Sequence, residues 1–158
     1  MEIIKNSSNF SSSEQTFVTI GTFDGVHYGH QQIIEKLVSE AKKATKKSVV
    51  LTLFPHPRMV LQKDKSLELI NTIDERATLL EKTGLDYLII HPFDKAFSKT
   101  TALDFVKDVG EEANMPFAVG GGIRRIQDIQ AIIAAGAEKV IINSYAFENP
   151  DFIKEASE

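Results

Sequence analysis

Thr19-Ile20-Gly21-Thr22-Phe23-Asp24-Gly25-Val26-His27-Tyr28-Gly29-His30 is the stretch on which the reading of this chain turns. An apolar strand over residues 17–20 runs into a turn punctuated by Gly21, Gly25 and Gly29. His27 and His30, three residues apart, then open a helix. Glycines let a backbone approach a ligand closely, a helix N-terminus offers unpaired N–H groups, and imidazoles add protonatable donors at the same place. The pattern is that of a phosphate site in an α/β sheet.

From Gly29 the apolar spacing is helical, with Ile33, Ile34, Leu37, Val38 and Ala41 on one face. The basic stretch at residues 42–47 is a solvated helix end, favoured there by the macrodipole. Residues 48–54 form a nearly continuous apolar run, as expected of a buried parallel strand, and Pro55-His56-Pro57 stops it. Residues 59–69 read as an excursion over the sheet's carboxyl edge. Thr72 and Glu75 make a capping box for a helix that Gly84 ends. Residues 87–91 are a third strand. Residues 101–112 are a third helix, with Thr101 and Asp104 as a second capping pair. A fourth strand at 117–119 ends in Gly120-Gly121-Gly122, a helix carries Ile126, Ile129, Ile132 and Ile133, and a fifth strand spans 139–142. Asn149-Pro150 starts a last helix. Residues 2–5 suit a short edge strand, and residues 6–15 a polar loop.

Strands alternate with helices five times. This predicts an α/β fold: a three-layer, doubly wound, five-stranded and mainly parallel sheet with right-handed crossovers, in a single domain over residues 1–158. The order 3-2-1-4-5 places the topological switch between the first and fourth strands, the two followed by the most glycine-rich loops.

The 158 residues are 42% hydrophobic and 25% charged, ordinary for one globular domain. A formal charge of −4 gives no general attraction to nucleic acid or to an anionic membrane, so an anion site must be local. The absence of cysteine excludes disulfides and thiolate metal sites. No apolar run approaches the roughly 20 residues of a membrane span, and the serine-rich N-terminus does not read as a signal peptide. A cytoplasmic location and a small-molecule phosphate or nucleotide as partner are the expectation. An edge strand left unpaired would offer a homodimer surface.

All four histidines lie at or just past the expected carboxyl ends of strands. His27 and His30 follow the first, amid more glycine than a helix cap needs. His56 follows the second and suits a structural or a functional role equally. His91 follows the third, at the far edge, and should matter least. A metal site from His27, His30 and His56 lacks a carboxylate partner, so none is expected.

The segment from Gly21 to His30 resembles the H-x-G-H signature of the nucleotidylyltransferase superfamily. More narrowly, Val50-Leu51-Thr52-Leu53-Phe54-Pro55-His56-Pro57, Leu69-Ile70-Asn71-Thr72, Leu79-Leu80-Glu81-Lys82-Thr83-Gly84-Leu85-Asp86 and Pro92-Phe93 resemble the FMN adenylyltransferase (FAD synthetase) domain of bacterial bifunctional riboflavin kinase/FAD synthetases. The match covers residues 1–109, in order. It implies a Rossmann-like fold that forms FAD from ATP and FMN with Mg²⁺. His27 and His30 would stabilise charge on the ATP phosphates. Gly21, Thr22, Phe23, Asp24, Gly25 and Gly29 would line the nucleotide pocket. Phe54, Pro55 and His56 would lie towards the flavin phosphate, with FMN or FAD the weaker ligand.

Past Val109 the chain is different. Met115-Pro116-Phe117-Ala118-Val119-Gly120-Gly121-Gly122-Ile123-Arg124 and Gly136-Ala137-Glu138-Lys139-Val140-Ile141-Ile142-Asn143-Ser144 resemble a strand–helix–strand piece of the cyclase subunit of imidazole glycerol phosphate synthase, a (β/α)₈ barrel. There the resemblance implies a phosphate grip by Gly120, Gly121, Gly122, Asn143 and Ser144, without that family's catalytic aspartates. The adenylyltransferase family's serine-serine-threonine-x-x-arginine segment is replaced, with Arg124 or Arg125 as partial stand-ins for its arginine. No riboflavin kinase domain follows, so kinase activity is not expected. The combined reading is an engineered chimera, joined near residues 107–114, that binds nucleotide or phosphate with weak or no catalysis. The alternatives are a non-enzymatic scaffold, or phosphate binding through the barrel-derived loops alone.

Overall fold

The apolar run at residues 48–54 has strand neighbours on both sides, and its two hydroxyl side chains, Ser48 and Thr52, are both hydrogen-bonded. In the computed structural model, which describes residues 1–61, 67–112 and 116–157, the chain divides into two compact units, Met1–Ser98 and Lys99–Glu158.

The first unit runs β1 (Glu2–Lys5), β2 (Thr16–Ile20), α1 (Tyr28–Lys43), β3 (Lys47–Phe54), α2 (Pro57–Leu61), α3 (Ile73–Glu81) and β4 (Tyr87–Pro92). Its sheet is four-stranded, of order β1-β4-β3-β2, and every pairing is parallel. Val49 faces Val18 on one side and Tyr87 on the other. Asp86 helps to fix that register. Its carboxylate accepts from the Ser48 N–H (2.9 Å) and hydroxyl (2.7 Å), and Ser48 Oγ accepts from the Asp86 N–H. The ladder continues one residue past β2, where the Gly21 N–H donates to the Leu51 carbonyl at 3.0 Å. Beyond that point the chain leaves the sheet as the Gly21 turn.

The core joins Ile34 and Val38 of α1, Val50 of β3, Leu88 of β4, Ala77 and Leu80 of α3, and Phe23 and Val26 of the turn. The buried stripe of α1 is Ile34, Val38 and Ala41, a spacing of four and three. Ile33, expected on the same face, is 52% exposed because it lies beside that stripe. The capping box forms as expected: Glu75 N–H donates to Thr72 Oγ1 and Glu75 Oε2 accepts from Thr72 N–H.

The second unit contains α4 (Ala102–Glu112), β5 (Ala118–Gly120), α5 (Ile126–Ala134), β6 (Lys139–Ile141), α6 (Ser144–Glu148) and α7 (Asp151–Ser157). The Thr101–Asp104 pair starts α4, with Thr101 Oγ1 donating to Asp104 Oδ2 at 2.6 Å. Gly110 is obligatory here, because a Cβ would stand 2.6 Å from the Ala135 carbonyl oxygen. Helix α6 begins at Ser144, one of the residues expected to grip phosphate.

The expected strand order holds for its 3-2-1 half, which is β4-β3-β2. The other half is different. β5 and β6 pair in parallel with each other as a separate two-stranded sheet, and β1 supplies the fourth strand of the larger one. Both short strands have three residues. Residues 62–66 of the expected excursion and residues 113–115 of the expected join lie outside the described residues. No helix among the described residues is long and apolar enough to cross a membrane.

Candidate functional site

The turn between β2 and α1 is held in an unusual backbone. Phe23 (φ 49°) and Val26 (φ 39°) are left-handed although neither is glycine, and Gly25 has φ 75°. Such strain costs about 1–3 kcal/mol per non-glycine residue and persists where surrounding contacts over-determine it. Gly25 also lies under Ile70, whose Cδ1 would be 2.9 Å from a Cβ at that position. This glycine therefore has a packing reason in addition to any ligand.

His27 is the N-cap of α1, its Nδ1 accepting from the His30 N–H at 3.4 Å. That acceptor role places the proton of the neutral ring on Nε2. The two imidazoles stack, 3.6 Å between centroids and 21° between planes, and Phe23 meets His30 edge-on at 5.2 Å. His27 and Gly29 are exposed; His30 is half-buried, and its Nδ1 is buried without a hydrogen-bond partner. Burial holds the His30 imidazole below its ordinary pKa, and His27 and Arg76 push the same way against Asp24. Loss of water and the neighbouring His27 both disfavour the charged form of His30, which an arriving anion would favour.

Asp24 does not stand free to meet a ligand. Its carboxylate accepts from the N–H groups of Ile70 (3.0 Å) and Asn71 (3.2 Å) and from Arg76 Nη2 (3.0 Å). Burial works against the charge on Asp24, yet these donors and Arg76 hold its pKa below the ordinary carboxylate value. Thr22 contributes its carbonyl, which accepts from Arg76 Nη1 (2.6 Å) and Thr52 Oγ1 (3.0 Å).

His56 caps the short α2, its Nδ1 accepting from the Arg58 N–H at 3.2 Å. Burial lowers its pKa, Arg58 adds to this, and Asp24 and Arg76 also act on it electrostatically. The ends of β2 and β3 thus share one electrostatic neighbourhood. Phe54 and Pro55 are exposed at that end of β3. His91 is elsewhere: its Nδ1 pairs with Ser7 Oγ at 2.8 Å and its ring packs against Phe97. Among the described residues no group of three or more His, Asp and Glu is arranged to hold a metal ion.

Arg76 and Asn71 were missed as site residues. Arg76 is 1% exposed and Asn71 Oδ1 is buried without a hydrogen-bond partner. An arginine on an otherwise apolar helix face, with Ala77 and Leu80, was the available signal.

In the second unit Gly120, Gly121, Gly122, Asn143 and Ser144 do converge, on a cleft of about 370 Å³ also lined by Arg124 and Tyr145. Gly121 and Gly122 have positive φ and open space where a Cβ would be. Arg124 pairs with Glu148 at 3.2 Å and lies over the Tyr145 ring, while Arg125 pairs with Asp128. Both arginines are exposed and already partnered.

Parallel strands that feed a glycine-punctuated turn, with a histidine pair at the following helix N-terminus, define an α/β protein of the nucleotidyltransferase-like kind. The family model for FAD synthetase matches residues 9–123, and the chain belongs to that family. The bifunctional riboflavin kinase/FMN adenylyltransferase of Escherichia coli K12 is 32% identical over 111 residues, 69% of this chain and 36% of that protein. The chain is also similar to the imidazole glycerol phosphate synthase subunit HisF. The Thermococcus onnurineus protein is 39% identical over 84 residues, 52% of this chain and 33% of that subunit. The Pyrococcus furiosus subunit is 40% identical over 85 residues, 53% of this chain and 34% of its own. The chain thus spans about a third of the curated relatives it matches. A crystal structure of a macrolide-efflux protein from Streptococcus pneumoniae has a similar fold, with a TM-score of 0.62 at 24% identity over 90% of this chain and 50% of that one. The FAD synthetase match continues to residue 123, past the Val109 limit expected from the motifs.

Proposed function

We propose that the Met1–Ser98 unit binds the phosphates of ATP at the β2–α1 turn, as an FMN adenylyltransferase does, and that the chain turns over slowly or not at all. The observation that carries this is the stacked His27–His30 pair with the buried, unpartnered Nδ1 of His30. The His30 imidazole, held below its ordinary pKa, gains a proton and a counter-charge together when a polyphosphate arrives at the helix N-terminus. His27 and His30 would stabilise the negative charge that builds on the phosphates during adenylyl transfer, and the turn would orient them. Such transfer asks of the protein positioning and charge stabilisation more than covalent chemistry. Phe54, Pro55 and His56 would face the FMN phosphate.

Magnesium would enter with the ATP phosphates, whose charge it screens when bound. The described residues supply no carboxylate cage for it, and Asp24 is committed to Arg76, Ile70 and Asn71.

Similarity to two unrelated families supports an engineered chimera as the origin. A second reading, phosphate at Gly121, Gly122, Asn143 and Ser144, is favoured by the open cleft they line. Calorimetry with ATP–Mg²⁺ on the parent and on His30→Ala separates the two. The first reading expects heat from the parent and at least tenfold weaker binding for the variant, about 1.4 kcal/mol. Equal heats assign the ligand to another site.

A further inference from the structure

Arg76 is the charged side chain that the described part of the chain buries completely, at 1% exposure. Burying a guanidinium is costly, and it persists only where partners compensate its charge. Nη1 donates to the Thr22 carbonyl at 2.6 Å and Nη2 to Asp24 Oδ1 at 3.0 Å. Those two groups flank Phe23, which carries the left-handed φ of 49°. The guanidinium fork therefore spans the strained residue and grips it on both sides. Asp24 is tied in turn to the Ile70 and Asn71 N–H groups, and Thr22 to Thr52 of β3. The ring of Phe23, 4% exposed, then meets His30 edge-on at 5.2 Å.

We propose that Arg76 is the positioning residue of the β2–α1 turn: by holding Thr22 and Asp24 it fixes Phe23, and through Phe23 it sets the His30 ring against His27. The purpose of that placement rests on the nucleotide reading above; the placement itself does not. Lysine can replace the charge but not the two-pronged grip, since it is a point charge on a flexible stem.

The test compares the full chain with Arg76→Lys, using ligand-free NMR titration of the imidazoles, thermal unfolding, and calorimetry with ATP–Mg²⁺. The expected result is cooperative unfolding, displaced His27 and His30 resonances with a changed His30 titration, His91 resonances left in place, and ATP–Mg²⁺ affinity reduced about tenfold, the scale of one lost charge-assisted hydrogen bond. A variant with a lower unfolding midpoint but parental His27 and His30 resonances overturns the proposal, because a merely structural arginine would do that. Should Arg76→Lys fail to fold, Asp24→Asn gives the same readouts with the side-chain shape preserved; displaced His27 and His30 resonances then support the proposal, and parental ones overturn it. No heat from the parent overturns the nucleotide reading alone and leaves the NMR result to decide the role of Arg76.

Discussion

His30 is the residue on which the account rests. Its imidazole is depressed by burial, then by His27 and Arg76, so the folded state takes up a proton less readily than the unfolded chain, whose histidine titrates near about 6.5. The sign follows. Above that pH His30 costs nothing; as pH falls from about 6.5 through the folded value, stability is lost. A polyphosphate reverses the preference, because it favours the imidazolium. ATP–Mg²⁺ binding should therefore strengthen as pH falls from 8 to 6 and take up protons, which titrations in two buffers of different ionisation enthalpy at pH 7 would measure. His30→Ala should abolish the uptake. Asp24 is also depressed, against its burial, by the Ile70 and Asn71 N–H groups and Arg76; its contribution is present at neutral pH and disappears below about pH 4.

At the scale of elements, local rules read from sequence were reliable wherever the signal was local. Thr72 and Glu75 predicted a capping box and formed one, and Thr101 with Asp104 did the same for α4. Thr72→Ala should cost about 1 kcal/mol in chemical denaturation. The packing of the Gly25 turn was not legible, since its contact with Ile70 joins positions far apart in the chain. Gly25→Ala should destabilise by about 1–2 kcal/mol from its left-handed backbone alone, and more if Ile70 cannot move. The same distance hid Arg76: its partners Thr22 and Asp24 precede it by 54 and 52 residues, so no spacing rule reaches them. Helix α6 went unseen because five residues are too few to show a period.

For the whole molecule, the alternation of strand and helix gave the parallel α/β class and the β4-β3-β2 order, because βαβ units have one favoured hand. It did not give the partition into two sheets. That depends on whether β5 and β6 bond to each other or to a longer strand, a contest of long-range pairings that periodicity does not encode. The proposed chimera has a chemical consequence as well. Purified protein supplied with FMN, ATP and Mg²⁺ should form little or no FAD by chromatography over hours; efficient formation would overturn the proposal of slow or absent turnover. A ligand bound by the folded state alone must also raise the unfolding midpoint, by about 2.7 kcal/mol of stability at a hundredfold excess over Kd.

The most direct measurement is a backbone amide NMR titration of the full chain with ATP–Mg²⁺. The account predicts saturable shifts concentrated at Gly21, Gly25, His27, Gly29 and His30, with Gly121, Gly122, Asn143 and Ser144 unmoved or moved only at higher concentration. Saturable shifts confined to Gly121, Gly122, Asn143 and Ser144, or no saturable shift at all, would contradict it.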